Sequence, residues 1–210
     1  MAISAIGSAT IGSTTASYTV GAEANHLLAL VVVGGLNTDT VSAATYGGQS
    51  MTLTGKCVAN ANRYLYIFHL LNPPSGANAF NITDGGNFNN GFAMDYAGVN
   101  QSGQPDASGT VAGTAVTTLS KTLTTTADNC WLISGIFAAA SGNLTAGANT
   151  TIRLQNGQSS ASADSNSVQT PPGNFAQTFN SSGTWADASL IVAAFSPAPG
   201  GRTGLQAKLW

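Results

Sequence analysis

The side chains able to do chemistry are few and scattered. The chain has eight acids: Glu23, Asp39, Asp84, Asp95, Asp106, Asp128, Asp164 and Asp187. Glycoside hydrolysis needs two carboxylates flanking one bond. Here no two acids stand i, i+2 or i, i+4 on one predicted strand, and the single Glu falls in a turn. His26 and His69 each lie on a predicted strand without a second His, Cys or acid at ligand spacing, so they read as core or edge histidines. No Gly-x-Ser-x-Gly elbow is present, and no Ser/His spacing argues for a triad. Asp84–Gly91 is rich in oxygen donors and suits either a Ca²⁺ cradle or a tight turn, with low charge favouring the turn. No catalytic, metal-binding or cofactor-binding residue is therefore assigned, and a non-enzymatic protein without a cofactor is expected.

A ligand face has one candidate. Tyr64, Tyr66 and Phe68 alternate along a strand and so share one side, where they serve either as a sugar-stacking platform or as core. Asp95 sits inside a strong strand between Ala93 and Ala97. It reads as a polar group on a concave ligand face or as a solvent-facing residue of an antiparallel sheet, and the second is the expectation. Tyr64, Tyr66 and Asp95 together are the candidate ligand residues. Cys57 and Cys130 read as two separate buried thiols, since free Cys behaves as a small core residue.

The elements that must position these residues are strands. Only 7% of residues are charged, against a usual quarter, and Gly, Ser, Thr, Asn and Ala fill the space between apolar runs. That composition suits many short strands with tight turns and suits helices badly. Six basic residues and a net charge of −2 leave no phosphate-tracking patch, which argues against nucleic acid. No apolar run approaches the roughly 18 residues of a membrane span, the nearest being Leu27–Val33, so no membrane partner is expected. Met1–Ala22 has neither a basic nor a continuous apolar region of the kind that directs export.

The predicted strands are Ile3–Ile11, Ser17–Val20, His26–Val33, Val41–Tyr46, Ser50–Thr54, Arg63–Leu71, Ala77–Thr83 and Phe92–Val99. His26–Val33 is nearly all apolar, as a strand buried on both faces should be, and Gly34-Gly35 should end it. The order then repeats. Ala127-Asp128-Asn129-Cys130-Trp131-Leu132 echoes Ala22–Leu28, Trp131–Ala139 matches Leu27–Val33, and Trp185–Ser196 matches Asn89–Val99, at a spacing of about 100 residues. Residues 1–16 read as an N-terminal arm. Residues 17–196 read as one antiparallel two-sheet β-sandwich whose halves, about 17–100 and 120–196, interleave as a jelly roll. Residues 197–210 read as a Pro/Gly hinge and tail, with Leu205, Leu209 and Trp210 as a hook for a neighbouring subunit.

Three segments, Tyr46-Gly47-Gly48-Gln49-Ser50-Met51-Thr52-Leu53, Leu71-Asn72-Pro73-Pro74-Ser75-Gly76 and Gly98–Ala107, together resemble a concanavalin A-like jelly-roll domain. That domain is found in phage structural proteins and bacterial extracellular proteins. The resemblance covers most of Ser17–Ser196 and implies a two-sheet sandwich used for assembly or surface binding. It implies no catalytic residues. The terminal segments lie outside it.

These readings give the expected function: a structural subunit of a phage particle (decoration, capsid-auxiliary or tail-appendage). It would be made in the host cytoplasm, released by lysis, and joined to copies of itself and to other virion proteins. The alternative is a carbohydrate-binding module of a virion or extracellular protein, with a glycan as partner.

Overall fold

The computed structural model describes residues 1–60, 63–139, 142–157 and 159–200, and among them every regular element is a strand. The hook residues Leu205, Leu209 and Trp210 lie outside the described residues. The chain is an all-β, antiparallel sandwich, the class that its composition suits.

The first half contains β1 (Ser4–Ile11), β2 (Ser17–Val20), β3 (Leu27–Leu36), β4 (Ala43–Tyr46), β5 (Gln49–Ser50), β6 (Thr52–Cys57), β7 (Arg63–Leu71), β8 (Gly76–Thr83) and β9 (Asn90–Ala97). These strands make a sheet of order β1-β9-β3-β7-β6 and a smaller one of order β2-β8-β4-β5. The second half contains β10 (Ala107–Thr124), β11 (Trp131–Ala139), β12 (Leu144–Ala146), β13 (Thr151–Asn156), β14 (Ser160–Asp164) and β15 (Asn174–Phe195). Its sheet runs β10-β15-β11-β14-β13, with β12 added to β15.

The repeat is real at the level of pairing. β3 pairs with β7 and β9 as β11 pairs with β14 and β15. β6 pairs with β7 as β13 pairs with β14, and β4 with β8 as β12 with β15. The pairs β1–β9 and β2–β8 correspond to the two ends of the β10–β15 ribbon. The halves differ in how they turn the corner between layers. In the first half the chain breaks there, between β1 and β2 and between β8 and β9. In the second, both strands run through, and the ladder skips between Val116 and Thr118 beside Ala115 at a φ of 53°. Such a bulge bends a strand sharply, which lets one ribbon serve two layers.

Every ladder stays inside its own half, so the halves do not interleave as the jelly-roll expectation has it. They stack. The only bridge between the halves is the isolated pair Val99–Pro197 among the described residues. Alternation along β3 shows the consequence. Leu27, Ala29, Val31 and Val33 pack toward the second half, while Leu28, Leu30 and Val32 pack toward the small sheet. Both faces are buried, hence the unbroken apolar run. It carries through Gly34-Gly35 to Leu36 instead of ending there. Strands β11 and β15 do the same for the second half, whose own core gathers Leu132, Ile136, Trp185, Leu190 and Val192. The segment 1–16 is no free arm. β1 is an edge strand paired along its length with β9, and Ile3 and Ile11 are buried.

The seam between halves is tightest where glycine removes a side chain. A Cβ on Gly135 would lie 2.6 Å from Val31 Cγ1, and one on Gly55 would lie 2.8 Å from Ile191 Cγ2. Such separations are well inside van der Waals contact, so these glycines are what allow the sheets to meet.

Candidate functional site

The structure does not bring the predicted ligand residues together. Tyr64, Tyr66 and Phe68 do share a face, with successive ring centroids 6.3 Å apart. That face is core: Tyr66 and Phe68 are buried, and Tyr64 packs partly buried against the same cluster. Tyr66 reaches out only with its hydroxyl, which donates to Asp39 Oδ1 at 2.6 Å, while Lys56 pairs with Asp39 Oδ2. Those two partners, Lys56 first, hold the Asp39 carboxyl below the usual carboxylate range.

Asp95 lies elsewhere. It pairs across β3 with Leu28, whereas Tyr66 pairs with Val32, four positions and about 13 Å further along the strand. The expectation that Asp95 faces solvent is also overturned, because it is 1% exposed. Its sheet is a middle layer and has no wet face at that point. The carboxylate accepts from the backbone N–H of Gly21 and lies 3.2 Å from His26 Nδ1, without the alignment of a hydrogen bond. His26 Nε2 in turn meets Glu23 Oε2 at 3.0 Å. Gly7, opposite Asp95 in the ladder, leaves room for the Tyr18 hydroxyl, which a Cβ would approach to 2.8 Å. Burial pushes the Asp95 carboxyl up to about 6, against the pull of His26, and burial followed by Asp95 pushes the Tyr18 phenol up to about 12. Glu23, His26 and Asp95 form a trio that closes the end of the first half, so His26 has two acids beside it where the sequence showed none at ligand spacing.

His69 is a buried core histidine. Its Nδ1 shares a 2.7 Å hydrogen bond with Thr54 Oγ1, its ring meets Phe195 edge-on at 5.5 Å, and burial lowers its pKa. Asp84 Oδ1 accepts from the Gly86 N–H at 2.9 Å, which is the geometry of an Asx turn. Cys57 and Cys130 are separate buried thiols, each pushed to a higher pKa by burial. Among the described residues no three His, Cys, Asp or Glu side chains gather as metal ligands would.

One cavity combines a cation with open space. It has a volume of about 210 Å³ and is lined by Ala5, Ile6, Gly7 and Ser8 of β1, Met94 and Tyr96 of β9, and Arg153 of β13. It opens on the seam, where the edge strands of the two halves face each other. Arg153 occupies a bulge in β13, between Ile152 and Leu154 in the β14 ladder. Its Nε donates to Asp164 Oδ2 at 2.8 Å and one Nη donates to Asn166 Oδ1 at 2.6 Å. Asp164 is fully buried and also accepts the Tyr96 hydroxyl at 2.9 Å, which ties the halves together. The chain gives no local sign of this cluster, because Tyr96 and Asp164 are 68 residues apart. Only the repeat points to it, since Arg153 stands where Thr54 stands and Asp164 where His69 stands.

No family model, curated protein or solved structure matches this chain.

Proposed function

We propose that the protein is a non-enzymatic structural subunit of a phage particle that works by assembling with copies of itself. The observation that supports this reading most is the state of two sheet edges. β1 and β10 each end a sheet, and across Ser4–Ile11 and Ala107–Thr124 the only charged residue is Lys121. Neither strand contains proline, and the bulge at Ala115 is the one interruption of β10. Soluble proteins ordinarily guard edges with charge, proline or cover, because an open row of N–H and C=O groups recruits another strand. β6 meets this edge near Thr110 and Val111, and beyond that stretch the edge is mainly Gly, Ala, Ser and Thr, small enough for a second chain to approach closely and add to the sheet. The particle context comes from low charge, which limits repulsion between close-packed copies, and from the resemblance of the turn segments.

The test is to place lysines at the exposed positions Ala112 and Thr114 and to measure mass by light scattering beside thermal unfolding. The expected result is an oligomer for the native chain and a monomer of unchanged Tm for the double variant. A native chain that stays monomeric at high concentration would sink the reading. A native oligomer that survives the lysines but dissociates on removal of residues 201–210 would move the contact to the hook.

A further inference from the structure

We propose that the seam cavity binds one small carboxylate-bearing molecule, no larger than an acidic monosaccharide, with Arg153 as its anchor. This goes beyond assembly and does not depend on it.

The two seam edges are built on the same plan, and that plan does not require a hole. At the other edge β6 meets β10: Gly55 lies close to Ile191 and Thr110, and Cys57 Sγ lies 3.4 Å from the Val111 carbonyl oxygen. The equivalent edge, where β13 meets β1, has a cavity of about 210 Å³. Arg153 stands there in place of Thr54. A long cation whose charged end must stay near water cannot be packed flush.

Three observations point to an acidic ligand. Arg153 is fixed, because Asp164 and Asn166 hold two of its nitrogens and its side chain is 26% exposed. A guanidinium has five N–H donors, so these bonds leave donors over, in a geometry matched to a carboxylate. The remaining wall offers Ser8 for hydroxyl contact, and Ile6 and Met94 for an apolar ring face. Size sets the upper limit. Drug-sized ligands occupy roughly 300–1,000 Å³, so this space takes one ring or less. Asp164 already cancels the charge of Arg153, so recognition depends on short-range hydrogen bonding and long-range attraction is weak. For about thirteen heavy atoms at ordinary ligand efficiency the expected Kd is about 1 mM.

The experiment is an NMR amide-shift titration of the full chain with glucuronate, and with glucose as the ligand that lacks the carboxylate. Saturating shifts at residues 5–8 and 153 with glucuronate, and none with glucose at equal concentration, are expected. Two variants accompany it. Arg153→Gln with Asp164→Asn removes the anchor without leaving a buried charge alone, and should abolish the shifts. Ala5→Leu fills the space, keeps the Arg153–Asp164 pair, and should weaken binding at least tenfold. The proposal fails if glucuronate gives no saturable shift up to about ten times the expected Kd. It fails equally if glucose binds as well, or if Ala5→Leu binds like the native chain.

Discussion

At one edge of the seam, Thr54 bonds His69, and His69 packs against Phe195 of the other half. At the other edge, Arg153 bonds Asp164, and Asp164 takes the hydroxyl of Tyr96 from the other half. The register makes these the same positions twice: a bulged residue, the neighbouring-strand residue that its side chain bonds, and an aromatic reaching across. Backbone geometry is common to both edges, so the side chains account for their difference. Neutral partners give a closed edge, and an ion pair holds an open one. A second contrast lies at the ends of β3 and β11. Glu23, His26 and Asp95 stand in the first half where the second has Ala127, Cys130 and Ala194. The second half closes its end with no charged trio, so the fold does not need one there.

The largest effect should come from breaking the ion pair. Asp164→Ala leaves the Arg153 guanidinium without its partner and the buried Tyr96 hydroxyl without an acceptor, and should cost about 3 kcal/mol or more. Thr54→Val, its counterpart, removes one neutral hydrogen bond and should cost about 1 kcal/mol. Urea unfolding of both measures the gap, and equal losses would mean that the edges are chemically alike after all.

Next in size is the pH response of buried Asp95. Asp95 keeps its proton up to about pH 6 in the folded chain, where an unperturbed carboxyl loses it at 3.8. Between those values the folded state holds a proton that the unfolded state releases, so stability falls as pH rises through that window. The shift corresponds to a loss of up to about 3 kcal/mol. Asp39, whose carboxyl is held low, acts in the opposite sense and below the same window. Asp95→Asn should flatten the fall between pH 4 and 6. Parallel curves for native chain and variant would remove Asp95 as the cause.

The smallest pair of effects concerns packing at the two edges. Gly55→Ala puts a Cβ 2.8 Å from Ile191 and should cost about 1–3 kcal/mol by overpacking the closed edge. Ala5→Leu enters the cavity and should stay within about 0.5 kcal/mol of the native chain. Melting temperatures decide it, and a tolerant Gly55 would show the closed edge to be looser than its contacts.

Much of the scaffold was legible because apolar runs bounded by turn residues carry a strong signal. Ser17–Val20, Arg63–Leu71 and Trp131–Ala139 are strands at the predicted residues. β10 and β14 were not legible. Ala107–Thr124 is mostly small or polar, with Leu119 and Leu123 its only large buried side chains, and Ser160–Asp164 is buried by its neighbours although three of its five residues are polar. The stacking of halves is hidden in the sequence for the same reason as the burial of Asp95. Alternation tells which residues share a face, and it does not tell whether a third layer covers the other. The seam cavity was invisible because its lining comes from β1, β9 and β13, which only the folded chain brings together.

The meeting of residue 1 with the junction between halves has a topological consequence. The Met1 amine donates to the Ala198 carbonyl, and the Ala198 N–H donates to the Gly98 carbonyl, so residues 1, 98 and 198 converge at one corner. Among the described residues the path therefore closes on itself. Its beginning could be relocated to Gly103 and residues 1 and 200 spliced by a short spacer. Such a permuted gene should encode the same stacked halves, with the second now synthesised first.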